Sequence, residues 1–71
     1  MKKDVEKLKL LLNHWIEHTR EHTAEYRKWF EKIRGEIPED AVKKFEEAIK
    51  LTEKSGDLLE SALEQIKNES L

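Results

Sequence analysis

Residues 35–40 read Gly-Glu-Ile-Pro-Glu-Asp, and this stretch is the strongest interruption in a chain of 71 residues. Gly35 suits the left-handed conformation that often follows the last turn of a helix, and Pro38 suits the first turn of the next helix. Glu39 and Asp40 then lie where the positive end of a helix dipole favours carboxylates. The stretch therefore predicts a short turn between two helices.

Apolar residues recur at three- and four-residue intervals on both sides of this turn, which is the spacing of one helix face. The pattern predicts helices over residues 4–34 and 38–69 within a single domain, residues 1–71. Because a short connection makes consecutive helices antiparallel neighbours, the predicted fold class is all-α, a long antiparallel helical hairpin. The two stripes comprise Val5, Leu8, Leu12, Trp15, Thr19, His22, Tyr26, Phe30 and Ile33, then Val42, Phe45, Ile49, Thr52, Gly56, Leu59, Leu63 and Ile66.

A second break at Gly56 is the alternative. Gly56 could end one helix, and Asp57 with Glu60 could cap another, which would give three helices. The apolar phase nevertheless runs through Gly56 without the shift that a turn normally causes. We therefore expect one continuous helix here.

The composition excludes several classes of protein. The absence of Cys excludes a disulfide scaffold and a thiolate metal site. No stretch approaches the ~18 apolar residues of a membrane span, and the N-terminus lacks a signal peptide's apolar core, so we expect a cytoplasmic protein without membrane contact. A net charge of −2 predicts no attraction to nucleic acid. The abundance of Lys and Glu is typical of thermophile proteins.

Both apolar stripes are wider than a pair of helices requires. A domain below ~70–80 residues rarely gains more than ~3–5 kcal/mol from one core. We therefore expect a homodimer that forms a four-helix bundle. Residues 1–35 carry nine basic and six acidic side chains, whereas residues 36–71 carry five and ten, so the two halves attract each other. The stripes are widened by Leu11, Ile16 and Trp29 in the first helix and by Ala41, Ala48, Leu58 and Ala62 in the second.

Three histidines at four-residue spacing share one ridge of the first helix. We expect His22 within the apolar stripe, His18 at its border and His14 toward solvent. Imidazoles four residues apart can hold one ion, whereas His14 and His22 are ~12 Å apart along the axis. Nitrogen donors suit Ni²⁺, Zn²⁺, Co²⁺ or Cu²⁺ alike. All three histidines are thus candidate metal ligands, and Glu25, Asp57 or a second subunit would complete the site.

A structural polar layer is the alternative interpretation of the histidines. If residue i pairs with about residue 73 − i across the hairpin, His18 faces Ser55 and His22 faces Leu51 or Thr52. A buried histidine can hydrogen-bond Ser or Thr on the opposite helix and fix the register. The protein would then be a non-catalytic interaction or oligomerisation module.

The strings His14-x-x-Glu17-His18 and His18-x-x-Glu21-His22 match the pattern of inverted zinc peptidases. The match is weak because Glu and His are frequent in this helix. The second string also overlaps the first, since the two share His18. A chain of this size also has little room for a substrate cleft. We therefore expect no enzyme activity and no catalytic residues.

The run His14-Trp15-x-x-His18-x-x-x-His22-x-x-x-Tyr26, followed by Trp29 and an acidic second helix, resembles a small uncharacterised family of helical hairpins from archaea and anaerobic bacteria. Some members are linked to nickel-enzyme maturation proteins. The resemblance implies that His14, His18 and His22 are ligands and favours nickel over zinc. The leading hypothesis is a small metal-binding or metal-handling accessory protein.

Overall fold

The computed structural model describes residues 2–69, which form two long α-helices joined by a short turn. Helix α1 spans Lys2–Ile33 and helix α2 spans Glu39–Glu69, so the predicted ranges are right to within two residues. The helices lie antiparallel in a rod with Cα extents of 51 × 14 × 14 Å. The prediction of an all-α helical hairpin is confirmed. Residues 1, 70 and 71 of the predicted domain lie outside the described residues.

The turn differs from the expected one at Gly35. Arg34–Glu36 continues α1 as a single 3-10 turn, and Gly35 does not adopt a positive φ there. The chain reverses instead at Ile37, whose backbone is extended (φ −121°, ψ 159°), as the residue before a proline prefers. The Val42 N–H then donates a 3.0 Å hydrogen bond to the Pro38 carbonyl, which begins α2.

Helix α2 continues through Gly56, so the alternative of three helices is not adopted. Gly56 is buried against α1. A Cβ atom at this position would lie 3.0 Å from Arg20 Nη1 and 3.4 Å from Thr19 Cγ2. Glycine therefore marks a place where a side chain of α1 crosses close to α2, rather than a helix end.

The core is a narrow line of side chains between the helices. Its most buried member is Ile49, which is 1% exposed. At the turn end, the Phe30 ring meets the Phe45 ring edge-on, with 5.5 Å between centroids. Thr23 is also buried, and its hydroxyl donates a 2.8 Å hydrogen bond to its own helix, at the Thr19 carbonyl. The buried apolar side chains in the described residues are Leu12, Phe30, Val42, Ile49 and Leu63.

Candidate functional site

One long face of the hairpin is crossed by ion pairs, and we call it the bridged face. Arg20 Nη2 lies 3.0 Å from Asp57 Oδ1 and 3.2 Å from Glu60 Oε2. Arg27 Nη2 lies 2.7 Å from Glu53 Oε2. The side-chain hydrogen bonds to Asp57 and then Glu60 raise the pKa of the Arg20 guanidinium. The expected attraction between the two halves of the chain thus acts on this face.

The opposite face carries two rows of uncharged side chains, and we call it the charge-free face. Its α1 row consists of Leu8, Leu11, Trp15, His18, His22, Tyr26, Trp29 and Ile33. Its α2 row consists of Ala41, Phe45, Ala48, Thr52, Ser55, Leu59, Ala62 and Ile66. Helical geometry places each row beside the core line, on the side away from the bridged face. The Tyr26 and Phe45 rings meet with 6.4 Å between centroids, so the two rows adjoin.

Large apolar side chains remain exposed on the charge-free face. Trp15 is 43% exposed and Trp29 is 49% exposed. Leu51 and Leu58, at the outer edge of the α2 row, are exposed as well. No pocket is present in the described part of the chain. Exposed apolar side chains that adjoin in this way are typical of surfaces that contact another molecule.

The three histidines form a ridge that runs from His22 and His18, within the α1 row, to His14 at its outer edge, and all three side chains are exposed. The ring centroids of His14 and His18 are 4.5 Å apart, and those of His18 and His22 are 6.0 Å apart. His14 and His18 could therefore hold one ion together. Residues 2–69 contain no group of three His, Cys, Asp or Glu side chains that could do so. A single chain thus contributes at most two of these imidazoles to one ion.

The expected burial of His22 is wrong. Thr19 and Thr23, rather than His22, face α2 at this level, and Thr23 is buried while His22 is exposed. The apolar stripe predicted for the first helix contains residues of the core line and residues of the charge-free face, because both sets repeat at helical intervals. His22 belongs to the second set. A polar layer of histidines between the two helices of one chain is therefore not formed.

The expected pairing of residue i with about residue 73 − i across the two antiparallel helices is also wrong, by about two residues. Thr19 lies against Gly56, and the Arg20 side chain reaches Asp57. The reason is the turn, because Arg34–Glu36 prolongs α1 and moves the reversal of the chain to Ile37. Asp57 is consequently held by Arg20 on the bridged face, so it is not placed to complete a site on the histidine ridge.

The bridged face was not anticipated, although the sequence contains a signal for it. Arg20 and Arg27 are seven residues apart, and so are Glu53 and Glu60. Seven-residue spacing returns side chains to nearly the same side of a helix. Opposite charges repeated at this interval in two antiparallel helices predict a line of ion pairs along one face.

Comparison with known proteins places the chain in a family. Residues 8–66 match the domain of unknown function DUF8180. The chain belongs to the DUF8180 family. An uncharacterized protein of Archaeoglobus fulgidus is 37% identical over 62 residues, which cover 87% of this chain and 98% of the relative. No solved structure matches the chain.

The DUF8180 match begins at Leu8 and ends at Ile66, which are the first and last residues of the two rows of the charge-free face. The expectation of a small uncharacterised family is thus confirmed, whereas neither comparison concerns the histidine motif or nickel. Neither helix, over the residues described, is long and apolar enough to cross a membrane.

Proposed function

We propose that this DUF8180 protein is a helical interaction module that binds a second copy of itself through the charge-free face and so forms a four-helix bundle. The observation that carries the proposal is the difference between the two faces. Arg20 and Arg27 join the helices by ion pairs on the bridged face, whereas the two rows on the other side contain no charged residue. Burial of such a face stabilises association through the hydrophobic effect.

The spacing of the two rows favours a second copy as the partner. The α1 row repeats at seven-residue intervals (Leu8, Trp15, His22 and Trp29), and the α2 row carries Ala41, Ala48 and Ala62 at seven-residue intervals or multiples of them. Rows of this spacing pack as knobs into holes in helical bundles. A two-fold axis brings the charge-free face of one copy against the charge-free face of the other, so neither copy buries a row of charged residues. The narrow core of the single hairpin also leaves much stability to be gained by association.

Trp15→Glu tests this proposal. We expect the wild-type protein to sediment as a dimer of 8.5 kDa chains at tens of micromolar. The variant buries two carboxylates per dimer and loses two indole contacts, so its dissociation constant should rise by about 100-fold or more, the equivalent of about 2.7 kcal/mol. Analytical ultracentrifugation over a concentration series measures this change.

Leu10→Glu is the matched control for Trp15→Glu. Leu10 is 72% exposed on the outer side of α1, away from both rows, so the same added charge should leave the dimer intact. Equal weakening by both variants would indicate a general effect of charge. A wild-type protein that stays monomeric at tens of micromolar would contradict the proposal.

Metal handling is the second candidate function, and the 4.5 Å separation of the His14 and His18 rings is the observation that favours it. In this proposal, the protein is a small cytoplasmic accessory protein for Ni²⁺, or for Zn²⁺ in its place. The resemblance noted in the sequence adds the link to nickel-enzyme maturation.

Thermal unfolding with added metal tests the second candidate. Free Ni²⁺ or Zn²⁺ at 100 times its dissociation constant should stabilise the tag-free protein by about 2.7 kcal/mol. The triple variant His14→Ala, His18→Ala, His22→Ala should lose the shift, because it lacks every imidazole of the ridge. If neither ion moves the wild-type transition, metal handling is excluded.

A further inference from the structure

The histidine ridge lies at the centre of α1. His18 is 16 residues after Lys2 and 15 residues before Ile33, the two ends of the helix. His14 and His22 lie four residues to either side of it. The ridge is therefore symmetric about the middle of the 51 Å rod.

This position has a consequence for a symmetric dimer whose turns lie at opposite ends. Two such rods overlap over their full length only if the two-fold axis crosses them at the middle. The axis then pairs α1 with α1 of the second copy in antiparallel orientation. His18 meets His18 of the partner subunit, and His14 meets His22 of the partner subunit.

The polarity of the imidazoles favours this orientation over the one with both turns at the same end. An imidazole that is covered on association needs a hydrogen-bond or metal partner. With the turns at the same end, α1 would lie on the α2 row, where Thr52 and Ser55 offer two hydroxyl groups to three imidazoles, and the Thr52 hydroxyl already donates to the Ala48 carbonyl. With the turns at opposite ends, the imidazoles of the two copies face one another.

We propose that His14 and His18 of one copy, together with His22 of the partner subunit, form a three-imidazole site for Ni²⁺ or Zn²⁺, with two equivalent sites in each dimer. This inference rests on the proposed self-association, and the site is incomplete in one chain. The His14 and His18 rings already lie 4.5 Å apart. Three imidazoles with a fourth position open to water are an established ligand set for zinc, and nickel accepts the same donors.

Single substitutions separate a shared site from one within a chain. Isothermal titration of the wild-type dimer with Ni²⁺, and separately with Zn²⁺, should give one ion per chain. His14→Ala and His22→Ala should each weaken binding by at least about tenfold, since even loss of a hydrogen-bond partner to a ligand costs this much. Within one chain, His22 is ~12 Å along the helix from His14, so equal losses from both variants require a second copy.

Mixing two defective variants gives the decisive result. The double variant His14→Ala, His18→Ala keeps only His22, and the variant His22→Ala keeps only the pair. Neither should bind with the wild-type affinity alone, whereas their mixture should regain it, because each mixed dimer contains one complete site. Circular dichroism checks that each variant retains its helices, as expected for exposed positions changed to alanine.

The outcomes distinguish this inference from the proposed self-association. A dimer that binds neither ion overturns the metal site and leaves the interaction module in place. Wild-type affinity in His22→Ala overturns the sharing, as does a mixture that regains nothing. A wild-type protein that is monomeric both with and without metal overturns the self-association and the shared site together.

Discussion

Phe30→Ala should leave much of the protein unfolded at 25 °C. Phe30 is buried in the cluster at the turn end, where its ring packs edge-on against Phe45 and lies 5.1 Å beneath the guanidinium of Arg34. Truncation of a buried phenylalanine costs about 3–5 kcal/mol, which equals the ~3–5 kcal/mol that a core of this size supplies. Urea unfolding followed by far-ultraviolet circular dichroism measures the loss.

The measurement needs several protein concentrations, because the proposed self-association would add to the stability of the folded state. Leu10→Ala serves as the control, since exposed substitutions usually change stability by less than about 0.5 kcal/mol. A Phe30→Ala protein as stable as this control would mean that the cluster at the turn end does not hold the hairpin together.

Ile49→Ala should have the next largest effect on the folded state. Ile49 is the most buried side chain described, and it belongs to the same cluster. We expect a loss of about 2–5 kcal/mol for Ile49→Ala and of about 0.5–1.5 kcal/mol for Ile49→Val, because the cavity grows with each methyl group removed. The urea midpoint should therefore be lower for Ile49→Ala than for Ile49→Val. The slope of the unfolding free energy against urea concentration should be unchanged in both variants.

Equal losses from the two Ile49 variants would contradict this reasoning. The shape of the side chain would then matter more than the volume that it fills.

The sequence predicts the hairpin well, because the signals for it are local. Pro38, Glu39 and Asp40 mark the start of α2, and uninterrupted periodicity carries the helix through Gly56 as expected. The conformation of Gly35 was not predictable in this way. The extended residue before Pro38 reverses the chain, so the left-handed conformation that Gly35 permits is not needed.

The candidate site was predicted only in part. Four-residue spacing correctly places His14, His18 and His22 on one ridge, since this depends on helix geometry alone. The burial of His22 depends instead on how α1 is rotated about its axis. On α1, the residues of the core line and the residues of the charge-free face both repeat at three- and four-residue intervals. The sequence pattern alone does not distinguish which of the two sets faces α2. In the folded chain, Leu12, Thr23 and Phe30 are buried against α2, and the ion pairs of Arg20 and Arg27 lie beside them.

The bridged face also limits how far assembly can proceed. Its Arg–carboxylate pairs are solvated and charged, so a further hairpin would have to remove them from water in order to stack there. Growth into layers or filaments requires two association surfaces, and the proposed dimer uses only the charge-free face. In this proposal, association ends at two chains and leaves the bridged faces on the outside.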